Sequence, residues 1–428
     1  MDRVTQVNPL RTAEIIAVGS ELLGSTRVDT NSLFLADRLA SLGVELRAKA
    51  VVGDDRAMLA QVLSQSLNRA DLVILTGGLG PTDDDVTRDV VAEVLGLEFT
   101  EDPAIVAAIE RRFARRNMRM PENNRRQAQV PRGAIVLDNP NGTAPGLFIA
   151  HERQVIVLLP GPPRELQPLM MRLCAGPLGE RAGRERTYTA CAFVTGRSES
   201  HIEELIQPIY SRWYTSVPPI QTTILAAPGQ IEIHLSLRSD SETAAQARLD
   251  SARNALAHAL GNVVFSTDGR FLEEVVGDLL KARRLTIAAA ESCTGGLLMS
   301  RLTDVPGSSA YVRGGVVVYS NDLKTTLVDV PAASIGAHGA VSEPVALAMA
   351  EGARSRTGAH IGVGITGIAG PEGGTPEKPV GTVAIAVVAP ESASHVRTFS
   401  FPGGRAQVKH QATQAAMDMV RRVVNGEW

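Results

Sequence analysis

Short apolar runs recur along this chain, and several of them stop at a turn rich in glycine, hydroxyl or carboxylate side chains before a helical pattern begins. Runs of this kind, apolar without alternation, are what a parallel sheet covered by helices on both faces requires. Ala13–Gly19 reads as an apolar strand, and Asn31–Leu42 as a helix with apolar residues at Leu33, Phe34, Ala36, Leu39 and Ala40. Val44–Val52 is a strand, Met58–Ala70 a helix and Leu72–Thr76 a very apolar strand. The alternation predicts a doubly wound α/β sheet. Ala134–Leu137, Gly146–Ala150 and Val155–Pro160 read as added strands.

The pattern changes near residues 175–185, where Ala175-Gly176-Pro177 precedes the charged stretch Glu180–Arg186. Strands are expected at Thr187–Thr195, Gln221–Ala226 and Ile231–Leu237, with helices at Ser200–Tyr210 and Ala244–Leu260, the order of a small α+β domain. From about Arg270 an α/β pattern returns: helix Leu272–Arg283, strands Thr286–Ala290, Gly315–Ser320, Ile361–Gly367 and Val380–Val388, and helices Glu343–Thr357 and Gln407–Val424. A chain of 428 residues is too long for one ordinary core. The expected architecture is two three-layer α/β/α domains, residues 1–175 and 270–428, joined by a small α+β domain at 185–266.

Composition narrows the function classes. With 44% hydrophobic and 21% charged residues, the chain is that of a folded protein. A formal net charge of −3 gives no global pull toward nucleic acid or anionic membrane, and 4% aromatic residues weaken a base-stacking role. Cys174, Cys191 and Cys293 are far apart and odd in number, against a disulfide framework or a structural zinc site. Met1–Arg11 has no signal-peptide apolar core, and no stretch reaches the roughly 18 apolar residues of a membrane span. A cytoplasmic location with no membrane partner is expected.

The chemistry-bearing residues fall into two sets. In the C-terminal set, Ala288-Ala289-Ala290-Glu291-Ser292-Cys293-Thr294-Gly295-Gly296 reads as a buried strand ending in a glycine turn with a hydroxyl at its tip. Helix-start amides favour anions there, and a serine so held can attack an electrophile. A serine needs a base. His338 and His360 sit in no triad-like signature; Lys324, in Tyr319-Ser320-Asn321-Asp322-Leu323-Lys324, can serve if burial lowers its pKa, with Tyr319 orienting it. Asn321 and Asp322 are natural N-caps that would put Lys324 in the first helical turn. The residues alone leave two readings open: a nucleophile and its base, or a turn hydroxyl and a surface lysine. The glycines from Gly362 to Gly374, among them Gly364, Gly367 and Gly370 around Thr366, permit close backbone approach to a phosphate or sugar.

In the N-terminal set, Thr76-Gly77-Gly78-Leu79-Gly80-Pro81-Thr82 follows a strand and runs into Asp83-Asp84-Asp85. Such glycines can cradle a diphosphate, and carboxylates beside it can hold a divalent cation. The alternative is an acidic N-cap and first turn. Gly19-Ser20-Glu21 and Gly53-Asp54-Asp55 end other strands on the side where open sheets bind ligands. Asn139–Gly146, with Asn141 and Gly142, and Leu159–Glu165 are two stiff Pro/Gly loops whose plain role is turn-making. The arginine-dense stretch Arg111, Arg112, Arg115, Arg116, Arg119, Arg125, Arg126 and Arg132 is a solvated face or a partner for a diphosphate.

Together these motifs resemble the CinA (competence/damage-inducible protein A) family over nearly the whole chain. Gly19–Gly24, Asp29-Thr30-Asn31-Ser32, Thr76–Thr82 with Asp84-Asp85, and Leu159–Pro163 resemble its N-terminal domain, which is similar to the molybdopterin-binding fold. That resemblance implies an ADP-ribose pyrophosphatase dependent on a divalent metal (Mg, Mn or Co), with Asp84, Asp85 and Glu21 as metal ligands and Thr76, Gly77, Gly78, Gly80, Asn141 and Gly142 at the substrate. Ala290–Gly296, Tyr319-Ser320-Asn321, His338–Pro344 and Gly367–Pro371 resemble the family's C-terminal domain. It implies deamidation of nicotinamide mononucleotide (NMN) to nicotinate mononucleotide and ammonia without a cofactor. The family's serine, lysine and tyrosine map onto Ser292, Lys324 and Tyr319, with Thr294, Gly295, Gly296, Gly364, Thr366, Gly367 and Gly370 at the substrate. The middle unit resembles a KH-like domain but has no Gly-x-x-Gly, so nucleic acid is not an expected partner. A homodimer is the expected assembly. The rival readings are a non-catalytic pterin- or nucleotide-binding first domain, and a nucleic-acid-associated competence factor.

Overall fold

The computed structural model describes residues 9–390 and 394–427, in two compact units. The first runs to Tyr188 and includes Arg238–Ala245; the second comprises Thr189–Leu237 and the chain from Gln246 onward.

The first unit opens with β1 (Thr12–Val18), α1 (Asn31–Ser41), β2 (Glu45–Val52), α2 (Arg56–Leu67), β3 (Leu72–Thr76) and α3 (Thr87–Leu95). A short ribbon pairs β4 (Phe99–Glu101) with β5 (Gln129–Pro131), and α4 (Pro103–Ala114) lies between them in sequence. Next come β6 (Ile135–Leu137), β7 (Gly146–His151), β8 (Gln154–Leu159) and α5 (Pro163–Ala175). The sheet order is β2-β1-β3-β8-β7-β6, parallel through β8 and antiparallel for the last two strands. Alternate residues of the inner strands enter two cores. Ile16, Val73, Leu75, Ile156 and Leu158 pack with Leu59 and Leu63 of α2, Val90 and Val91 of α3 and Ile105 of α4. Ile15, Leu72, Ile74, Val157 and Leu159 pack with Leu35 and Leu39 of α1 and Leu166 and Leu169 of α5. Burial on both faces is why these strands read as unbroken apolar runs.

A four-stranded sheet follows, in the order β10-β11-β9-β12, from β9 (Arg186–Thr195), β10 (Ile220–Ala227), β11 (Gln230–Ser239) and β12 (Val264–Ser266). Helices α6 (Glu199–Tyr210) and α7 (Glu242–Leu260) intervene in sequence.

The C-terminal part runs α8 (Leu272–Arg283), β13 (Ile287–Glu291), α9 (Leu297–Asp304), β14 (Val312–Val317), α10 (Asn321–Val328), α11 (Ala332–His338), α12 (Glu343–Thr357), β15 (Ile361–Gly367), β16 (Thr382–Val388), β17 (His395–Ser400) and α13 (Arg405–Asn425). Its sheet order is β14-β13-β15-β16-β17, parallel around β13 and antiparallel from β16. One face meets α8, α9 and α13, and the other meets α12. The α/β class with helix-flanked sheets is as the sequence predicts. No helix among the described residues is long and apolar enough to cross a membrane.

One strand ends earlier than expected. Tyr319 does not close β14, because the strand stops at Val317. Ser320 is the N-cap of α10, its hydroxyl accepting from the Leu323 N–H at 3.2 Å, so the chain has already turned. Ser320, not Asn321 or Asp322, fills the cap position.

Candidate functional site

In the C-terminal part, the candidate residues leave the sheet at one level. Glu291 is in register with Val317 on β14 and Ile365 on β15. With strands about 4.8 Å apart, the residues that follow, Ser292, Val318 and Thr366, stand side by side. Two bonds hold them there: the Ser292 N–H donates to the Ile365 carbonyl at 2.9 Å, and the Val318 N–H to that of Glu291 at 2.8 Å.

The turn after Ser292 is built by Gly295 and Gly296, at φ +64° and +92°, a region that side chains with a Cβ disfavour. The helix-start amides expected to receive an anion are partly taken. Glu291, 1% exposed, folds its carboxylate under α9 and accepts from Gly296 N–H at 3.0 Å, Leu298 N–H at 3.1 Å and Met299 N–H at 3.0 Å. The protein supplies its own anion, so the helix end positions the turn and does not bind substrate through those groups. The Thr294 N–H has no acceptor among the described residues. The buried Thr294 hydroxyl also has none. Both are free donors of the turn beside Ser292.

Lys324 lies on α10 and is 2% exposed. Its Nζ donates to the Tyr319 carbonyl at 3.2 Å, and among the described residues no carboxylate pairs with it. Burial lowers its pKa from the ordinary lysine value. Cys293, next to Ser292, is the neighbouring group that electrostatically opposes that drop. Its thiol is buried and pushed up to about 12, chiefly by desolvation, which leaves it protonated and a poor nucleophile. Ser292, 7% exposed, is the hydroxyl on that turn. Tyr319 is exposed, and its Oη accepts from Arg405 Nη2 at 3.2 Å. Arg405, the first residue of α13, also donates from Nη1 to the Gly370 carbonyl at 3.0 Å, so it ties the tyrosine to the glycine loop. Sequence reading passed over Arg405, because nothing local marks it; only the packing of α13 brings it here.

His360 lies elsewhere. His360 Nδ1 accepts from the Thr286 N–H at 3.1 Å, at the opposite end of β13 from Ser292. Six residues of strand make that distance about 20 Å. His338 ends α11, and its carbonyl accepts from Lys378 Nζ at 3.0 Å. Thr366 donates its hydroxyl to the Ala340 carbonyl at 2.8 Å, which pins the 338–342 loop to the strand end. Two of the glycines have a packing reason. A Cβ on Gly364 would stand 2.1 Å from the Ala346 carbonyl of α12, and one on Gly367 would stand 2.8 Å from the Thr382 carbonyl. Gly364 lies mid-strand, where the missing side chain lets α12 pack closely on the sheet. Gly370 is in the left-handed region at φ +83°.

In the first unit, Thr76 ends β3 and is 2% exposed. Gly77 and Gly78 follow at φ +91° and +63°. Thr87 N–H donates to the Gly78 carbonyl at 3.1 Å and its hydroxyl to that of Gly77 at 2.8 Å, folding the loop onto the start of α3. A Cβ on Gly80 would meet Asp85 Oδ2 at 2.3 Å. The three aspartates part ways. Asp83 pairs with Arg126 at 3.0 Å. Asp85 accepts from the Thr82 N–H at 2.9 Å and hydroxyl at 2.6 Å. Asp84 is exposed, and hydrogen bonding from Thr82, then from its own backbone, lowers its pKa. Glu21 folds back over Gly19. Among the described residues no group of three or more His, Cys, Asp or Glu side chains forms a metal cage. Asp84 and Asp85 are adjacent in sequence, and one or two carboxylates, with phosphate and water as the other ligands, are the usual manner in which Mg²⁺ is bound.

Asn139 is 8% exposed and accepts from Asn141 N–H at 3.1 Å and Gly142 N–H at 3.0 Å, while its amide donates to Glu165 at 2.8 Å. Gly142 lines a cleft of about 630 Å³ with Asn139, Arg111, Arg112 and Arg115, whereas Asn141 is not in its lining and donates its amide to the Arg164 carbonyl at 2.8 Å. The arginine-dense stretch is partly consumed: Arg112 donates to the carbonyls of Pro140 and Asn141, Arg125 pairs with Glu101, Arg126 with Asp83 and Asp89, and Arg132 with Glu98.

Residues 269–424 match the CinA C-terminal domain, and residues 14–179 match the family described as a probable molybdopterin binding domain. A CinA-like protein of Koribacter versatilis is 48% identical over 414 residues, 96% of this chain and 99% of its own length. Another from Acidobacterium capsulatum is 46% identical over 418 residues, 96% of this chain and 99% of the relative. Among solved structures, the competence/damage inducible protein CihA from Agrobacterium tumefaciens is 37% identical over 36% of this chain and 93% of its own, with a TM-score of 0.35. With both domain families matched in order and such identity over almost the full length, the chain belongs to the CinA family.

Proposed function

We propose that the C-terminal part hydrolyses the carboxamide of NMN to nicotinate mononucleotide and ammonia. The observation that carries this reading is Lys324: a buried amine with lowered pKa and, among the described residues, no counter-ion, set beside the Ser292 turn. A lysine so placed spends more of its time neutral and can act as a base. In the proposed sequence Lys324 takes the Ser292 hydroxyl proton as Oγ bonds to the amide carbon. The free Thr294 N–H and hydroxyl face the oxygen that gains charge. The C–N bond then breaks, and the ammonium of Lys324 returns its proton to the departing nitrogen, giving ammonia. Water adds to the acyl-serine ester with Lys324 again as base, the C–O bond to Ser292 breaks, and the ammonium of Lys324 returns its proton to Ser292 Oγ. Tyr319 and Arg405 form the exposed polar edge toward the nucleotide. Ser292→Ala should abolish ammonia release from NMN; release at the wild-type rate sinks the serine role.

The first unit is read as an ADP-ribose pyrophosphatase. The left-handed glycine loop beside two carboxylates supports this. Asp84 and Asp85 would hold a divalent cation, which when bound supplies charge neutralisation at the diphosphate and an activated water. The chain's own part is to offer the loop backbone and to hold Asp85 in place through Thr82. Appearance of AMP from ADP-ribose with Mg²⁺, Mn²⁺ or Co²⁺ tests it. Binding of a pterin or nucleotide with no product would favour the non-catalytic reading.

A further inference from the structure

We propose that Arg88 is an anion-binding residue of the first unit that grips one phosphate of a diphosphate ester lying over the Gly77–Gly80 loop. This deepens the pyrophosphatase reading above and rests on it. Arg88 is the second residue of α3 and directly follows the loop and its aspartates. It is 2% exposed. Its Nε is enclosed and has no hydrogen-bond partner, and no ion pair to it forms among the described residues. Asp89 and Asp85 lie near it, but among the described residues neither bonds it. Asp85 is held by Thr82 at 2.9 and 2.6 Å, and Asp89 by Arg126 at 3.2 Å. Arg126 adds a second positive charge close by.

A guanidinium does not shed its proton, so this is a buried positive charge without a bonded counter-ion. Such an arrangement is costly unless something completes it. The group that matches a free guanidinium fork is an oxyanion offering two oxygens to parallel N–H donors, and phosphate is the one a glycine loop and helix start also favour. Only Nε is fully enclosed; the terminal nitrogens keep what access the residue has, so the open edge of the fork is the side a ligand reaches. Arg88 thus supplies the positioning charge, and the two aspartates in the same turn remain for the cation.

The test uses the full chain. Inorganic pyrophosphate is titrated calorimetrically into wild type, Arg88→Met and Arg88→Lys, with thermal unfolding and ADP-ribose kinetics on the same preparations. Arg88→Met should bind pyrophosphate at least tenfold more weakly and raise KM for ADP-ribose at least tenfold, with no fall in Tm. Arg88→Lys, keeping charge without the fork, should lie between, and it serves alone if the methionine variant does not fold. Unchanged pyrophosphate affinity in the variants, with or without a lowered Tm, overturns the role of Arg88 while leaving the pyrophosphatase reading intact if wild type cleaves ADP-ribose. Wild type that neither binds pyrophosphate nor yields AMP overturns both.

Discussion

Replacing Lys324 with methionine separates a catalytic lysine from a structural one. The side chain is 2% exposed, and methionine fills a similar volume, so packing is little disturbed. The one hydrogen bond lost is Nζ to the Tyr319 carbonyl at 3.2 Å, a contribution of about 1 kcal/mol. Against that loss, the substitution removes an amine whose protonated form is disfavoured by burial. Each pH unit by which burial lowers the pKa corresponds to about 1.4 kcal/mol of cost to the charged form. The two effects oppose each other, so at neutral pH the variant should lose no more than the hydrogen bond's contribution of about 1 kcal/mol. The sign with pH is fixed. The folded state binds the Lys324 proton less readily than the unfolded chain, so wild-type stability rises with pH between the lowered pKa and the ordinary lysine value near 10.4. The methionine variant should lose that rise. Activity should fall about 10²- to 10⁴-fold, the usual contribution of a general base. In wild type, kcat/KM for NMN should climb tenfold per pH unit below the lysine pKa and then level. Ammonia release, chemical denaturation at several pH values and the pH–rate profile are the assays. A variant that keeps its activity, or one that loses several kcal/mol of stability along with it, refutes the reasoning.

Other outcomes follow from neighbouring groups. Glu291→Gln leaves one of three helix-start amides facing another donor, and should cost about 3 kcal/mol in unfolding experiments and slow ammonia release by displacing Ser292. Gly364→Ala drives a Cβ to 2.1 Å from the Ala346 carbonyl, and should destabilise the protein by about 1–3 kcal/mol, read as a lowered Tm. Iodoacetamide at neutral pH should leave ammonia release unchanged, because the Cys293 thiol is held up to about 12; rapid inactivation traced to Cys293 by mass spectrometry would contradict this. A chelator should abolish AMP formation from ADP-ribose and spare ammonia release, measured on one preparation.

Much of the N-terminal and C-terminal architecture was legible because strands buried on both faces leave unbroken apolar runs, such as Leu72–Thr76 and Ile361–Gly367. Elements without that mark were passed over. The edge strand β17 and the ribbon of β4 and β5 carry no such run. Helix α4 was announced locally, by Asp102 accepting from the Ala104 and Ile105 amides and by Pro103 at the first helical position, but the arginine run drew the reading instead.

What the sequence determined by itself is the list of reactive groups and their local setting: a hydroxyl on a glycine turn, a lysine at a helix start, glycines before aspartates. Those depend on neighbours a few residues away. Tertiary structure alone decided which groups are used up and which are left free. Glu291 caps α9 from below, His360 lies about 20 Å along the sheet from Ser292, and Gly364 makes room for α12. Lys324 and Arg88 are buried charges without a carboxylate partner among the described residues, and Arg405 reaches Tyr319 across 86 positions of chain. Desolvation and pairing depend on everything packed around a group, and the residues that do the packing are distant in sequence.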